Sequence, residues 1–171
     1  VAYRLRHCFE NSAPETAEKW VGELLWCVYQ ATRNSGEITR DAAESIAHAI
    51  GAQFYELNVD GVVEEYKSLV SDALQRELTW DRDDLALQNI QARGRAPSVW
   101  MLANIKRGLL LATSNRSEAA VGYTTMDGDT CGGISPIAGI DKAFLREWLH
   151  WLEIPGPEGG EPISELRKVN A

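Results

Sequence analysis

A short apolar run, Leu24 to Tyr29, and a second strand-length run that alternates, Phe54 to Val59, flank a segment of helical spacing, and this order most narrows the folds open to the chain. Leu-Leu-Trp-Cys-Val-Tyr is apolar throughout and of strand length, which suits a strand buried on both faces. Between the runs, Ala43, Ile46, Ala47 and Ile50 fall at i, i+3, i+4 and i+7, and Gly51 sits where a helix stops. In the second run Tyr55, Leu57 and Val59 alternate with Phe54, Glu56 and Asn58. Asp60 is then placed to cap a helix reaching about Leu78, with Val62, Val63, Tyr66, Leu69, Val70 and Leu74 on its apolar side. Strand–helix–strand–helix order is the repeating unit of a parallel sheet with right-handed crossovers. The predicted fold is α/β, a three-layer α/β/α Rossmann-like parallel sheet, formed by residues 1–171 as a single domain.

The flanking segments extend this pattern. Val1 to Phe9 carries helical spacing without a cap, and Glu10 to Pro14 breaks it, as expected for a piece of a longer protein. Thr79 to Asp84 starts a further helix with acids at its positive end, and Pro97 predicts a kink or break within it. Gly108 ends that stretch, and Leu109 to Ala112 reads as a third buried strand. Phe144, Leu145, Trp148, Leu149 and Leu152 predict an amphipathic helix, Ile154 to Pro162 a loop, and Ser164 to Ala171 a last short helix.

Charge and cysteine usage exclude some classes. A net charge of -8 over 171 residues argues against general binding to nucleic-acid backbones, which requires a basic surface. Arg93, Arg95, Lys106, Arg107 and Arg116 still form a local basic concentration, or else scattered solvated charges. No apolar run approaches the ~20 residues of a membrane span. Cys8, Cys27 and Cys131 are far apart and odd in number, which predicts reduced thiols in a cytoplasmic protein. Cys27 reads as a small core residue, and nothing nearby in sequence activates Cys131. His7, His48 and His150 share no metal-ligand spacing.

Ligands of parallel α/β sheets bind beyond the carboxyl ends of the strands, here Ala31–Ser35, Val59–Asp60 and Thr113–Glu118. Thr113-Ser-Asn-Arg-Ser-Glu118 has two readings. Thr113 holds a nucleotide while Glu118 binds a divalent cation or polarises a substrate; or Asn115 and Glu118 form a capping box. Asp127-Gly128-Asp129 is either a metal-holding pair or an ordinary turn. The loop from Thr124 to Ser135 has the composition of one that moves or closes over a ligand. Lys142 either reaches a phosphate or stands exposed behind an Asp141 cap, and Arg93 and Arg95 either fork onto an anion or pair with nearby acids.

Taken together, Asn89-Ile-Gln-Ala-Arg-Gly-Arg95, Thr113 to Glu118, Gly122-Tyr123, Gly128-Asp129 and Pro136-Ile-Ala-Gly-Ile-Asp-Lys142 resemble NAD synthetase in order and spacing. The likeness is greatest to the synthetase domain of the glutamine-dependent form, and Thr32-Arg-Asn-Ser35 also fits. The resemblance implies an adenine nucleotide alpha hydrolase-like fold of the ATP-pyrophosphatase type. It implies a ligase that adenylates deamido-NAD with Mg-ATP and amidates it with ammonia, giving NAD, AMP and pyrophosphate. The ammonia comes from a separate glutamine amidase domain, and the family forms homodimers. By motif position, Thr113 and Lys142 contact ATP; Asn89, Glu118 and Tyr123 contact deamido-NAD, joined by Arg93 and Arg95; and Glu118 lies near Mg2+.

Departures from the family pattern qualify this. The pyrophosphate-binding Ser-Gly-Gly-x-Asp-Ser does not occur in the 171 residues. Its expected place is before the helix at Val1, so the chain as given is expected to be inactive, a truncated synthetase domain. Shorter, ammonia-dependent members carry a Lys where Met126 stands and an Asp where Gly133 stands. The alternative reading is a non-catalytic dimerisation or interaction module of the same fold, with the Asp83–Arg107 helical stretch serving the interface.

Overall fold

The computed structural model describes residues 16–170; the expected helix over Val1–Phe9, the break over Glu10–Pro14, His7 and Cys8 lie outside them. In chain order the elements are α1 (Ala17–Leu24), β1 (Trp26–Ala31), α2 (Glu37–Ala49), β2 (Gln53–Asn58), α3 (Asp60–Leu74), α4 (Trp80–Arg93), α5 (Ala96–Lys106), α6 (Arg116–Ala120), α7 (Lys142–Glu153), a 3-10 turn (Ser164–Leu166) and α8 (Arg167–Asn170). They fall into two compact units, one ending at Leu57 and resuming at Glu147, the other running from Asn58 to Arg146.

In the first unit, α1 is a helix that the sequence pattern does not predict. Thr16 caps it, its Oγ1 accepting from the Lys19 N–H at 3.3 Å, and Trp20 on its inner face is buried. This helix takes Leu24 out of the expected strand, so β1 starts at Trp26 and is half-buried along its length rather than buried on both faces. Its described sheet has two strands, β1 and β2, parallel and joined through α2, and each has one hydrogen-bonded neighbour. Ala42 and Ala47 of α2 are buried, and Gly51, at φ +78°, turns the chain where the glycine was expected to stop the helix. The 3-10 turn and α8 pack on α2, with Leu166 buried and Lys168 Nζ donating to Ser45 Oγ at 2.6 Å.

In the second unit, Asp60 is not the cap of α3. Val59 holds that position, buried and without a side-chain capping bond, while Asn58 Oδ1 accepts from the Asp60 N–H at 3.0 Å. The helix stops at Leu74 instead of Leu78 because Gln75 turns left-handed, at φ +51°. Of its expected apolar side only Val63 is buried; Val62, Tyr66, Leu69, Val70 and Leu74 are exposed. Gly94 allows α3 and α4 to pack closely, since a Cβ there would lie 2.9 Å from Val63 Cγ2. The break expected at Pro97 is present, with α4 ending at Arg93 and the proline in the first turn of α5, where it displaces no helical hydrogen bond.

The expected third strand is corrected. Leu109 to Ala112 forms a single parallel bridge, Leu111 to Ile134, with Leu109 and Leu111 exposed and Ala112 buried. The Ala112 N–H donates to the Ile134 carbonyl and the Gly133 N–H to the Leu110 carbonyl, each at 2.8 Å. Two residues beyond Ile134 stands Pro136, which has no N–H to extend a ladder.

The connection into α4 is clamped by an ion pair. Arg76 donates to both oxygens of Asp83, each at 2.8 Å, and the Thr79 N–H donates to Asp83 Oδ2 at 3.0 Å. Asp83 itself sits out of helical geometry, at φ -123° and ψ 21°, which kinks the first turn. The Arg76 bond, then the Thr79 N–H, lower its carboxyl from 3.8 to about 2. A carboxyl with a depressed folded pKa adds stability that is complete above its unfolded value and is lost as pH falls through its folded value. Thermal melts of wild type and Asp83→Asn should therefore differ most above pH 4 and converge as pH falls towards 2. A constant difference across that window would overturn this assignment.

Candidate functional site

The expected site residues all lie in the second unit: Asn89 and Arg93 in the last turns of α4, Arg95 at the N-cap of α5, Thr113 in the turn leading into α6, Glu118 within α6, Tyr123 in the loop before α7 and Lys142 at the start of α7. At the turn into α6, the capping box is present. Asn115 is buried, and its Oδ1 accepts from the N–H groups of Ser117 at 3.0 Å and Glu118 at 3.1 Å. Glu118 Oε2 reaches back to accept from the Asn115 N–H at 3.2 Å. The local reading of this turn therefore holds, and the other oxygen of Glu118, Oε1, lies 3.8 Å from Lys142 Nζ.

Lys142 is placed by the start of α7. Asp141 caps that helix, its Oδ1 accepting from the Phe144 N–H at 2.8 Å. Its other oxygen takes a bond from Arg116 at 2.7 Å, and the two interactions, the Phe144 N–H first, hold the Asp141 carboxyl below its usual range. The Arg116 N–H donates to the Ile140 carbonyl at 2.9 Å, and the Lys142 N–H to Ser117 Oγ at 3.0 Å. α6 and the start of α7 are thus stapled three times over. That fixes the Lys142 backbone beside Glu118, although the two side chains are 56% and 31% exposed and their pairing is weak in itself.

α4 brings the other pair. Asn89 Oδ1 accepts from Thr125 Oγ1 at 3.0 Å, and Arg93 Nε donates to the Met126 carbonyl at 3.0 Å. The loop approaches α4 this closely at Gly128, where a Cβ would lie 2.9 Å from both the carbonyl carbon and Cβ of Ala92. Asp127-Gly128-Asp129 is a turn, with Asp127 at φ +61° and Asp129 Oδ2 accepting from the Thr125 N–H at 2.8 Å. The two groups are joined: Ser114 Oγ is 3.0 Å from Thr124 Oγ1 and 3.4 Å from Glu118 Oε2.

The remaining candidates are less engaged. Tyr123 donates its N–H to the Glu118 carbonyl at 3.0 Å, and the residue is 77% exposed. Thr113 is exposed between buried Ala112 and half-buried Ser114, and Arg95 stands at the N-cap of α5. At Gly133 a side chain would meet Leu109 Cδ1 at 2.7 Å, so this chain fills with leucine part of the space that an aspartate there would take. Ser114, Thr124 and Thr125, which join the two groups, had no individual mark in the sequence beyond a hydroxyl-rich turn and loop. Among the described residues no cluster of three His, Cys, Asp or Glu side chains is arranged to hold a metal. Cys131 is a free thiol whose pKa burial raises, with Asp127 and Asp129 adding to the effect; Cys27, also free and half-buried, is raised by burial. No helix among the described residues is long and apolar enough to cross a membrane.

Within the second unit the Asn89 amide, the Arg93 guanidinium, the Glu118 carboxylate and the Lys142 ammonium are thus tied to neighbouring turns, in a chain of the parallel α/β class. The comparisons with known proteins narrow the class. The model of the NAD synthase family matches residues 23–158. The chain belongs to the NAD synthase family. It is 47% identical to a glutamine-dependent NAD(+) synthetase from Cytophaga hutchinsonii of known crystal structure, with a TM-score of 0.86, over 98% of this chain and 29% of that one. It is 32% identical over 146 residues to the glutamine-dependent NAD(+) synthetase of Aquifex aeolicus, covering 82% of this chain and 25% of the relative. The fold is shared with a glutamine-dependent NAD+ synthetase from Acinetobacter baumannii solved with adenosine diphosphate, at 23% identity and a TM-score of 0.71, over 83% of this chain and 26% of that one. The chain spans about a quarter of the length of the curated relatives it matches.

Proposed function

We propose that this chain is part of the ligase domain of a glutamine-dependent NAD synthetase, with the three-layer, adenine nucleotide alpha hydrolase-like fold of that family. The domain adenylates deamido-NAD with Mg-ATP and amidates it with ammonia from a glutamine amidase domain, in the cytoplasm and as a homodimer or larger homo-oligomer. The observation that carries this reading is the link from Asn89 to Glu118, by a hydrogen bond from Thr125 to Asn89 and, from its chain neighbour Thr124, by hydrogen bonds through Ser114 to Glu118, with Lys142 beside it. The names of the relatives and the adenosine diphosphate held by the Acinetobacter enzyme support it.

In this reading Thr113 and Lys142 hold ATP, the ammonium meeting phosphate oxygens. Asn89, Glu118, Tyr123, Arg93 and Arg95 bind deamido-NAD, Tyr123 offering an exposed ring face to the nicotinate. The donor set fits Mg2+ only with help from the nucleotide: one oxygen of Glu118 is in the capping box and the other lies beside Lys142, and a magnesium ion held by one carboxylate would complete its shell with phosphate oxygens and water. The metal, when bound, neutralises phosphate charge. With no Ser-Gly-Gly-x-Asp-Ser among the 171 residues, the chain in isolation lacks a phosphate cradle and does not turn over.

Calorimetric titration with deamido-NAD and Mg-ATP tests this. Glutamine at position 118 still completes a capping box, so Glu118→Gln should keep the melting temperature yet bind about tenfold more weakly, as expected when a charged contact is lost. Glu118→Ala should lose both, and added ammonia should yield no NAD with any variant. Wild-type affinity in Glu118→Gln would leave Glu118 as a cap alone. The second reading, an interaction module, is favoured by the exposed Val62, Tyr66, Leu69, Val70 and Leu74 of α3 and the exposed Met101 and Ile105 of α5. A chain that self-associates without binding either nucleotide would support it.

A further inference from the structure

We infer that Thr125 is a positioning residue that orients the Asn89 amide, so that the ligand atom meeting Asn89 must be a hydrogen-bond acceptor. The inference rests on the reading above that Asn89 touches the nucleotide. Thr125 is the hub of a tight turn: its carbonyl accepts from the N–H groups of Gly128 at 3.1 Å and Thr130 at 3.4 Å, and its own N–H donates to Asp129 Oδ2 at 2.8 Å. With its backbone held on both sides, its hydroxyl donates to Asn89 Oδ1 at 3.0 Å. An asparagine amide has one oxygen and one NH2 on opposite arms, so occupying the oxygen fixes where the donors point. Among the described residues Asn89 Nδ2 has no acceptor, and the side chain is half-buried. Arg93, one helical turn on, is held against the same loop through the Met126 carbonyl. The Asn89 NH2 is thus the donor the site offers, and a carbonyl, phosphate or ribose oxygen is the complementary group. A ligand donor at this place would face the NH2 and leave both unsatisfied.

Titrating deamido-NAD into the 171-residue chain tests the assignment. Thr125→Val should weaken binding by up to about tenfold, the range of one hydrogen bond, and Thr125→Ser should restore it. Asn89→Asp keeps the acceptor for Thr125 but replaces the donor with a second oxygen, so it should bind at least as weakly as Asn89→Ala. Wild-type affinity in Asn89→Asp, alongside loss in Asn89→Ala, overturns the donor assignment and leaves the site reading standing. Wild-type affinity in Asn89→Ala, or no binding by the wild type, overturns the site reading and this inference with it. The orientation also has a readout without ligand. The side-chain amide resonance of Asn89 should move in Thr125→Val and return in Thr125→Ser, and an unmoved resonance overturns the positioning role whatever the titration gives.

Discussion

Gly128→Val should destabilise the chain by about 1–3 kcal/mol, the usual range for forcing atoms into a packed contact. The first added carbon would already lie 2.9 Å from the carbonyl carbon and Cβ of Ala92 and 3.1 Å from the Arg93 nitrogen. These are backbone atoms and a methyl group of a helix, with no flexible side chain to swing aside. Either α4 bends or the loop lifts away. If the loop lifts, the Asn89–Thr125 and Arg93–Met126 bonds break with it, so nucleotide affinity should fall along with the melting temperature. Gly139→Val, where a Cβ meets no atom within 4 Å, is the control and should melt close to wild type. Equal melting temperatures for the two variants would refute the close approach.

Asn115→Ala should lower stability by about 2 kcal/mol, the upper range for loss of an N-cap. Asn115 is buried, and its Oδ1 serves the N–H groups of both Ser117 and Glu118, which alanine would leave without that acceptor. A helix as short as Arg116–Ala120 has no stability of its own and depends on its cap and its surroundings. Its loss should also release Glu118 and the Ser117 contact to Lys142. Asn115→Ser, which retains an oxygen at the cap, should recover most of the loss in a denaturant melt. If alanine and serine melt alike, the cap is not what holds this turn.

The elements that were legible in the sequence are those set by local chemistry. The spacing of Ala43, Ile46 and Ala47 and the stop at Gly51 gave α2, and the alternation of Tyr55 and Leu57 gave β2, because both depend on neighbours along the chain. The break at Pro97 follows from a missing N–H, and the box of Asn115 and Glu118 from two side chains three residues apart. What failed depended on distant partners. The apolar side of α3 reads as core by period, yet only Val63 is buried, since burial requires a second surface and periodicity does not supply one. Leu109 to Ala112 has the composition of a strand, but pairing needs a partner segment with free N–H groups, and Pro136 limits what the opposing segment offers. Leu24 belongs to a helix capped at Thr16, and the apolar run it shares with β1 does not reveal that.

The candidate site divides in the same way. Its residue types and their order along the chain, from Asn89 to Lys142, were enough to assign the family, which the matching family model bears out. Short-range hydrogen bonding at Asn115 and Asp141 was also legible, because a cap is decided within one turn of helix. Only tertiary structure decided that Thr125 meets Asn89 across thirty-six positions, that Met126 meets Arg93, and that Lys142 stands 3.8 Å from Glu118. Those contacts rest on the close approach at Gly128 and the staple from Arg116 and Ser117 to Asp141 and Lys142. Sequence carries the chemistry of each side chain and the hydrogen bonds within reach of its own turn. Which groups then share a site is set by the packing of segments far apart in the chain.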